Sequence, residues 1–356
     1  MTILLALETS CDESAVAIVI RKKTSTQVLS SLVVSQVQEH SQWGGVVPEI
    51  ASRRHLEAIP KLISDALLKA KCNFHDISGI AATVAPGLSG SLLVGSITAR
   101  TLSRLHRIPF LGIHHLEGHL SSIQLGSHLP KPPFLVLLVS GGHTELIRVN
   151  NIGSYVRLGR SHDDAVGEAF DKVARLLNLR YPGGPSIQEI ARLGNGSRFI
   201  LPKGRISLPG GGFHPYDFSF SGLKTSMLRL IQELSSRNID IPTADLAASF
   251  EQIVVELLVE RSCRCAIDQG LSNIILVGGV AANKRLRTLL KKSATNRGLT
   301  TYLAPLDYCT DNAAMIGVAA LDKLERFPEG SPINTSVSAR LNLDDIRDLY
   351  NKEAIF

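Results

Sequence analysis

Two imidazoles and a distant carboxylate are the residues of this chain best suited to hold a metal ion. In Ile113-His114-His115-Leu116-Glu117-Gly118-His119, a helical conformation puts His115 and His119 four residues apart, so both rings project from one face and can share an ion. A third ligand has to come from elsewhere. Asp311, in the small and polar loop Cys309-Thr310-Asp311-Asn312, is the candidate. Histidines at helical spacing are more often core or surface residues than ligands, so their surroundings decide what this pair means. A zinc-protease centre needs His-Glu-x-x-His. Here Glu117 follows His115 by two residues and His114 by three, so the proteolytic geometry is absent.

The elements that must deliver these side chains alternate between strand and helix. Ile3 to Glu8, Ala15 to Arg21 and Val28 to Val37 read as three strands, and the turn Glu8-Thr9-Ser10-Cys11-Asp12-Glu13-Ser14 sets hydroxyls and carboxylates between the first two. Such a turn can meet a phosphate or its counter-ion, or can simply be solvated. After the loop Trp43 to Glu49, Pro48 opens a helix through Ile50, Leu56, Ile59, Leu62, Ile63 and Leu67. A buried strand (Ile80 to Val84) follows, then the loop Ala85 to Ser91 and a helix from Leu92 to Arg107. Pro109 to Ile113 is a short strand that hands over the histidine helix at its carboxyl end, where open α/β sheets place their sites.

Beyond the linker Pro130-Lys131-Pro132-Pro133 the pattern repeats. Phe134 to Val139 and Thr144 to Val149 form a second apolar hairpin around Ser140-Gly141-Gly142-His143, followed by a short strand (Tyr155 to Leu158) and alternating helices and strands. This predicts an internal duplication, two halves facing one another across a cleft. Val166, Phe170, Val173, Leu176 and Leu177 make an apolar helical stripe with Asp171 at its edge, and Tyr181-Pro182-Gly183-Gly184-Pro185 should break that helix. Gly194 to Gly212 reads as a surface insertion. Leu246 to Ile267 is a core helix, and Asn273 to Val277 is a strand running into Gly278-Gly279-Val280-Ala281-Ala282-Asn283 and a basic helix with Lys284, Arg285, Arg287, Lys291 and Lys292. A strand from Thr301 to Ala304 leads to Asp311 and a last helix ending at Arg326.

A chain of 356 residues is too long for one ordinary core. The expected layout is an N-terminal lobe over 1–129, completed by a helix at about 311–326, a C-terminal lobe over 134–310 with an insertion at about 194–222, and an extension over 327–356. Hydrophobic residues make up 44% of the chain and mean hydropathy is +0.13, yet no run approaches the ~20 apolar residues that span a bilayer. The sequence opens directly on Ile3-Leu4-Leu5-Ala6-Leu7 without a targeting segment, and its five cysteines are scattered with no Cys-x-x-Cys pair. A reducing compartment, the cytoplasm, is expected, with no membrane partner. The net charge of +6 permits a polyanionic partner such as RNA.

With these pieces in place the chain resembles the TsaD family, the bacterial tRNA threonylcarbamoyladenosine transferases, formerly described as O-sialoglycoprotein endopeptidases. The likeness is nearly full length. It runs through Leu7-Glu8-Thr9-Ser10-Cys11-Asp12, Gly44 to Ser52, Ala85 to Gly95, His115 to His119, Leu138 to His143, Gly167 to Pro185, Phe218 to Thr225, Gly278 to Asn283 and Cys309 to Met315. Ala85 stands where many relatives carry glycine, and the tail after about Phe327 is longer than the family leads one to expect. The resemblance implies the α/β actin-like ATPase (ASKHA) fold of actin, sugar kinases and heat-shock chaperones, with two lobes of duplicated five-stranded mixed sheets flanked by helices. It implies that His115, His119 and Asp311 ligate one divalent metal ion, usually taken to be iron, Fe(2+), although this donor set also suits zinc, Zn(2+). It implies nucleotide and substrate contacts from Leu138, Val139, Ser140, Gly141, Gly142, Asp171, Gly184 and Asn283.

The implied reaction moves the threonylcarbamoyl group of threonylcarbamoyl-AMP onto N6 of the adenosine 3′ of the anticodon in tRNAs reading codons that begin with A. The product is N6-threonylcarbamoyladenosine (t6A), and AMP leaves. Glu8 and Asp12 are the candidates to relay the proton. Implied partners are tRNA and the proteins TsaB and TsaE, with a TsaC-type enzyme supplying the adenylate. The rival readings are an ATP-dependent phosphotransferase of the sugar-kinase type and a non-catalytic scaffold of a tRNA-modifying complex.

Overall fold

The computed structural model describes the chain from Met1 to Leu349, apart from Thr24, Gly44, Ser127, His128, Ile152, Arg205 and Pro209. Gly44, counted above in the Gly44 to Ser52 motif, and the end of the expected 327–356 extension lie outside the described residues. The chain divides into two compact units, Met1–Leu129 with Asp311 onward, and Pro130–Thr310.

The first unit is built on a five-stranded mixed sheet in the order β3-β2-β1-β4-β5. Its strands are β1 (Thr2–Glu8), β2 (Glu13–Lys22), β3 (Ser25–Ser35), β4 (Gly79–Ala85) and β5 (Phe110–His114). β1 lies antiparallel to β2 and parallel to β4, and both its faces are covered, so Leu4 through Leu7 are fully buried. Helices α1 (Val37–Ser41), α2 (Pro48–Ala70), α3 (Ser89–His106), α4 (His115–Ser121) and α10 (Ala313–Arg326) surround the sheet. Gly317 brings α10 down onto Val19 and Ala6, where a Cβ would sit 2.6 Å from Val19 Cγ2. Ser14, on the opposite face of β2, meets His55 of α2 at 2.7 Å.

The second unit repeats this plan. Strands β6 (Phe134–Val139), β7 (Thr144–Asn151), β8 (Ser154–Arg160), β9 (Asn273–Val277) and β10 (Thr300–Leu303) form a sheet in the order β10-β9-β6-β7-β8. Read from the other edge, this is the order of the first sheet: an antiparallel meander of three strands, then two parallel strands beside the first of them. Its helices are α5 (Val166–Leu176), α6 (Gly183–Ala191), α7 (Ser221–Ser236), α8 (Thr243–Asp268) and α9 (Lys284–Thr295).

Two local expectations need correction. β3 ends at Ser35 rather than Val37, because Gln36 turns inward: its backbone N–H donates to Asp12 O at 3.0 Å and its side chain reaches Ala51 O. α5 ends at Leu176, ahead of the stretch Tyr181 to Pro185, and that stretch starts α6 at Gly183 instead of breaking a helix. A proline in a first turn lacks only an amide hydrogen that the helix would leave unpaired, so Pro185 fits there.

Candidate metal centre

The three residues singled out as metal ligands all belong to the first unit, and the fold brings them together. β5 ends at His114 and α4 starts at His115 without a connecting loop. His114 makes that junction sharp: its Nδ1 accepts from Leu116 N at 3.2 Å while its Nε2 donates to Leu341 O at 3.0 Å. Gly118 lets α10 approach, since a Cβ there would lie 2.6 Å from Ile316 Cδ1. Asp311 sits just ahead of α10, fixed by the helix cap in which Asn312 Oδ1 accepts from Met315 N at 2.9 Å. One ligand atom from each of His115, His119 and Asp311 then falls within 4.8 Å of the others.

The polar turn after β1 supports the first histidine. His115 Nδ1 lies 3.1 Å from Glu8 Oε2 and 3.2 Å from Ser10 Oγ. Glu8 is itself fixed, accepting from Thr83 Oγ1 at 2.5 Å and from Ser10 N at 2.6 Å. An imidazole that donates through Nδ1 to a carboxylate keeps its Nε2 lone pair for a metal, and His115 Nε2 points to Asp311 Oδ1 at 3.4 Å. Ser10 and Thr83 were not singled out from the sequence. The hydroxyl-rich character of Thr9-Ser10 was the available signal for Ser10, whereas Thr83 lies inside an apolar strand and gave none.

Electrostatics follow from burial and charge. Burial alone would push the His115 imidazole down, but Asp311 and Glu8 outweigh it and hold it well above the usual histidine range. Burial would likewise raise the Asp311 and Glu8 carboxyls, yet the facing imidazoles keep Asp311 well below the usual carboxylate range, and His115 draws Glu8 down. Glu13, in the same turn as Asp12, is pushed up to about 10 by burial and by the neighbouring Asp311 and Asp12. A field that draws a proton onto one imidazole draws a divalent cation to the same place.

The donor set fits a metal ion. His119 is fully buried and neither of its ring nitrogens has a hydrogen bond of acceptable geometry among the described residues, although Nε2 lies 3.1 Å from Asp311 Oδ1. A buried imidazole left without a hydrogen bond is costly, and a shared ion removes that cost. Two imidazole nitrogens and one carboxylate oxygen suit iron or zinc and leave coordination positions open.

The expected nucleotide contacts all lie in the second unit. Leu138 and Val139 end β6 inside the core, and the turn after them is closed by Ser140 N donating to His143 O at 2.8 Å. Gly141, Gly142 and Gly184 face open space, with nothing within 4 Å of where a Cβ would stand, so their backbone is open to a ligand. Asp171 and Asn283 also serve the fold. Asp171 Oδ1 accepts from Gly183 N at 2.7 Å, tying α5 to the start of α6. Asn283 caps α9 through Leu286 N at 2.8 Å and donates to Glu251 Oε1 at 2.7 Å.

Two lobes of duplicated mixed sheet, each beginning with a hairpin around a polar turn, make up the actin-like (ASKHA) fold. Solved structures with this fold superpose at low sequence identity. The T. kodakarensis HypF structure aligns with a TM-score of 0.58 at 15% identity, covering 92% of this chain and 48% of that one, so the chain spans about half the length of HypF. The activator of the 2-hydroxyisocaproyl-CoA dehydratase from Clostridium difficile, solved with bound ADPNP, aligns with a TM-score of 0.51 at 13% identity over 92% of this chain and 97% of its own. Sequence carries the assignment further. The profile of the family described as TsaD, tRNA N6-adenosine threonylcarbamoyltransferase, matches residues 27–318. Proteins named tRNA N6-adenosine threonylcarbamoyltransferase from Prochlorococcus marinus (strain MIT 9303) and Synechococcus sp. (strain CC9902) are 60% and 61% identical, each over 100% of both chains. The chain belongs to the TsaD family of tRNA N6-adenosine threonylcarbamoyltransferases.

Proposed function

We propose that this protein transfers the threonylcarbamoyl group of threonylcarbamoyl-AMP to N6 of the adenosine 3′ of the anticodon in tRNAs that read codons beginning with A. The observation that carries the reading is the buried convergence of His115, His119 and Asp311 in a chain of this family. One divalent ion, Fe(2+) in preference to Zn(2+), belongs to these three residues and supplies, when bound, Lewis-acid polarisation of the acyl donor. Glu8 keeps the His115 ring oriented through Nδ1, and Ser10 and Thr83 hold Glu8. Glu8, at the end of β1 with its carboxylate on His115, and Asp12, in the turn that follows, are the groups to relay the proton lost by the attacking amine. The open backbone of Gly141, Gly142 and Gly184 suits the phosphate and ribose of the adenylate, with Ser140 and Asp171 offering hydrogen bonds beside it.

TsaB and TsaE are the proposed protein partners, and the cytoplasm the proposed compartment. No helix among the described residues is long and apolar enough to cross a membrane. The sugar-kinase alternative finds no support in the matched family. The test is mass analysis of nucleosides from unmodified tRNA incubated with the purified protein, its partner proteins and threonylcarbamoyl-AMP. N6-threonylcarbamoyladenosine should form with the native chain; tRNA that stays unmodified under those conditions would refute the assignment.

A further inference from the structure

The chain's positive charge is concentrated on one helix. Between Gln269 and Leu306 the sequence holds Lys284, Arg285, Arg287, Lys291, Lys292 and Arg297 and no acidic residue. These six cations equal the whole net charge of +6, so the remainder of the chain is balanced. They lie on α9 and the turn just after it.

The stability of the helix does not explain this composition. The first turn of α9 carries no acidic residue and instead begins with Lys284 and Arg285, at the helix end where a cation is unfavourable. Arg287 and Lys291 stand four residues apart, a like-charge spacing that costs rather than contributes. Two of the cations have internal duties: Arg287 donates to Ala281 O and Ala304 O, and Arg285 donates to Gln252 Oε1 and lies 4.0 Å from Glu251. Lys284, Lys291, Lys292 and Arg297 are exposed, and none of them has a carboxylate partner among the described residues. Elsewhere on the surface some exposed cations are paired, as in Arg54 with Glu39 and Glu57, Lys61 with Asp65, and Arg237 with Glu233, and others such as Lys22, Lys69 and Lys71 are not among the described residues, but no other acid-free stretch of the sequence holds six cations.

We propose that the outward face of α9, formed by Lys284, Lys291, Lys292 and Arg297, is a docking surface for the phosphate backbone of tRNA. The inference rests on the reading of tRNA as substrate and adds where on this chain the polyanion is held. Unpaired lysines and arginines in a row, with no aromatic side chain on the helix, suit sequence-independent phosphate contact rather than base recognition.

The test measures binding of an unmodified tRNA transcript to the purified full chain across a salt series. It compares the native protein with the triple variant Lys291→Gln, Lys292→Gln, Arg297→Gln, and with a control triple on the first unit, Lys22→Gln, Lys69→Gln, Lys71→Gln. Thermal melting verifies that both variants are folded. The α9 triple should bind about tenfold or more weakly near 0.1 M salt, and the slope of log affinity against log salt should become shallower by about two to three, close to one for each lost phosphate contact. The control triple should keep the native slope. Native affinity and slope in the α9 triple, or an equal loss in the control, would overturn the surface assignment while leaving the tRNA reading intact. An α9 triple that keeps tRNA but loses a protein partner would also overturn it and give the face to an acidic protein. A native chain that does not bind tRNA would overturn the surface assignment, and the modification assay with partner proteins then decides the tRNA reading separately.

Discussion

At the residue scale the proposed metal centre depends on side chains that would ligate nothing themselves. Glu8 orients His115 through Nδ1. Loss of such an outer carboxylate typically costs about 10–100-fold in metal affinity, so Glu8→Ala should release the ion to a competing chelator at correspondingly lower chelator concentration. Native retention in that titration would show that His115 needs no such support. The histidine pair was legible from its four-residue spacing, and Asp311 from the polar loop around it. The Glu8 contact was not legible, because it joins the end of the first strand to a helix over a hundred residues later and only the sheet order brings them together. A second residue-scale prediction concerns Lys323, buried in α10 with Nζ donating to Gly112 O at 2.8 Å and Leu349 O at 3.0 Å. Burial pushes its amine down to about 8. Between that value and the ordinary lysine range, the unfolded chain keeps a proton that the folded chain has released, so stability from this group rises as pH rises. The gain amounts to about 3 kcal/mol across the window. Urea unfolding at pH 8 and pH 10 should show Lys323→Met losing that rise relative to the native chain; an equal rise in both would contradict it.

At the scale of elements, the turns that end β6 and β9 make the sharpest demand on sequence. Gly278 has φ +95°, and a Cβ there would stand 2.4 Å from Val139 O, whereas its neighbour Gly279 has nothing within 4 Å. Gly278→Ala combines backbone strain with overpacking against a carbonyl and should cost about 2–5 kcal/mol. Gly279→Ala should stay within about 0.5 kcal/mol of native. Thermal melting of the two variants checks this, and equal melting temperatures would show that the turn tolerates a side chain at either position. The duplication was legible because both halves open with two apolar strands around a polar turn, and the two matching sheet orders follow from it. Helix α6 was not legible, because Pro182, Gly183, Gly184 and Pro185 carry the composition of a breaker. Packing reverses that reading: Gly183 lies so close to α5 that a Cβ would meet Asp171 Cα at 2.6 Å.

At the scale of the whole molecule, candidate ligands drawn from α4 and the lead into α10 put the proposed metal centre in one unit, while the glycine turns proposed for the nucleotide belong to the other. Composition alone could not show this partition. The net charge of +6 was visible as a total, but its concentration at α9 acquires meaning only when the structure shows Lys284, Lys291, Lys292 and Arg297 exposed on that helix and the turn after it. The claim on which the rest depends is that His115, His119 and Asp311 hold a single ion. Elemental analysis of protein purified without exposure to air, native beside His119→Ala, addresses it directly. The native chain should carry one divalent metal ion and the variant close to none; a native chain purified free of metal, or a variant that retains a full equivalent, would contradict the account.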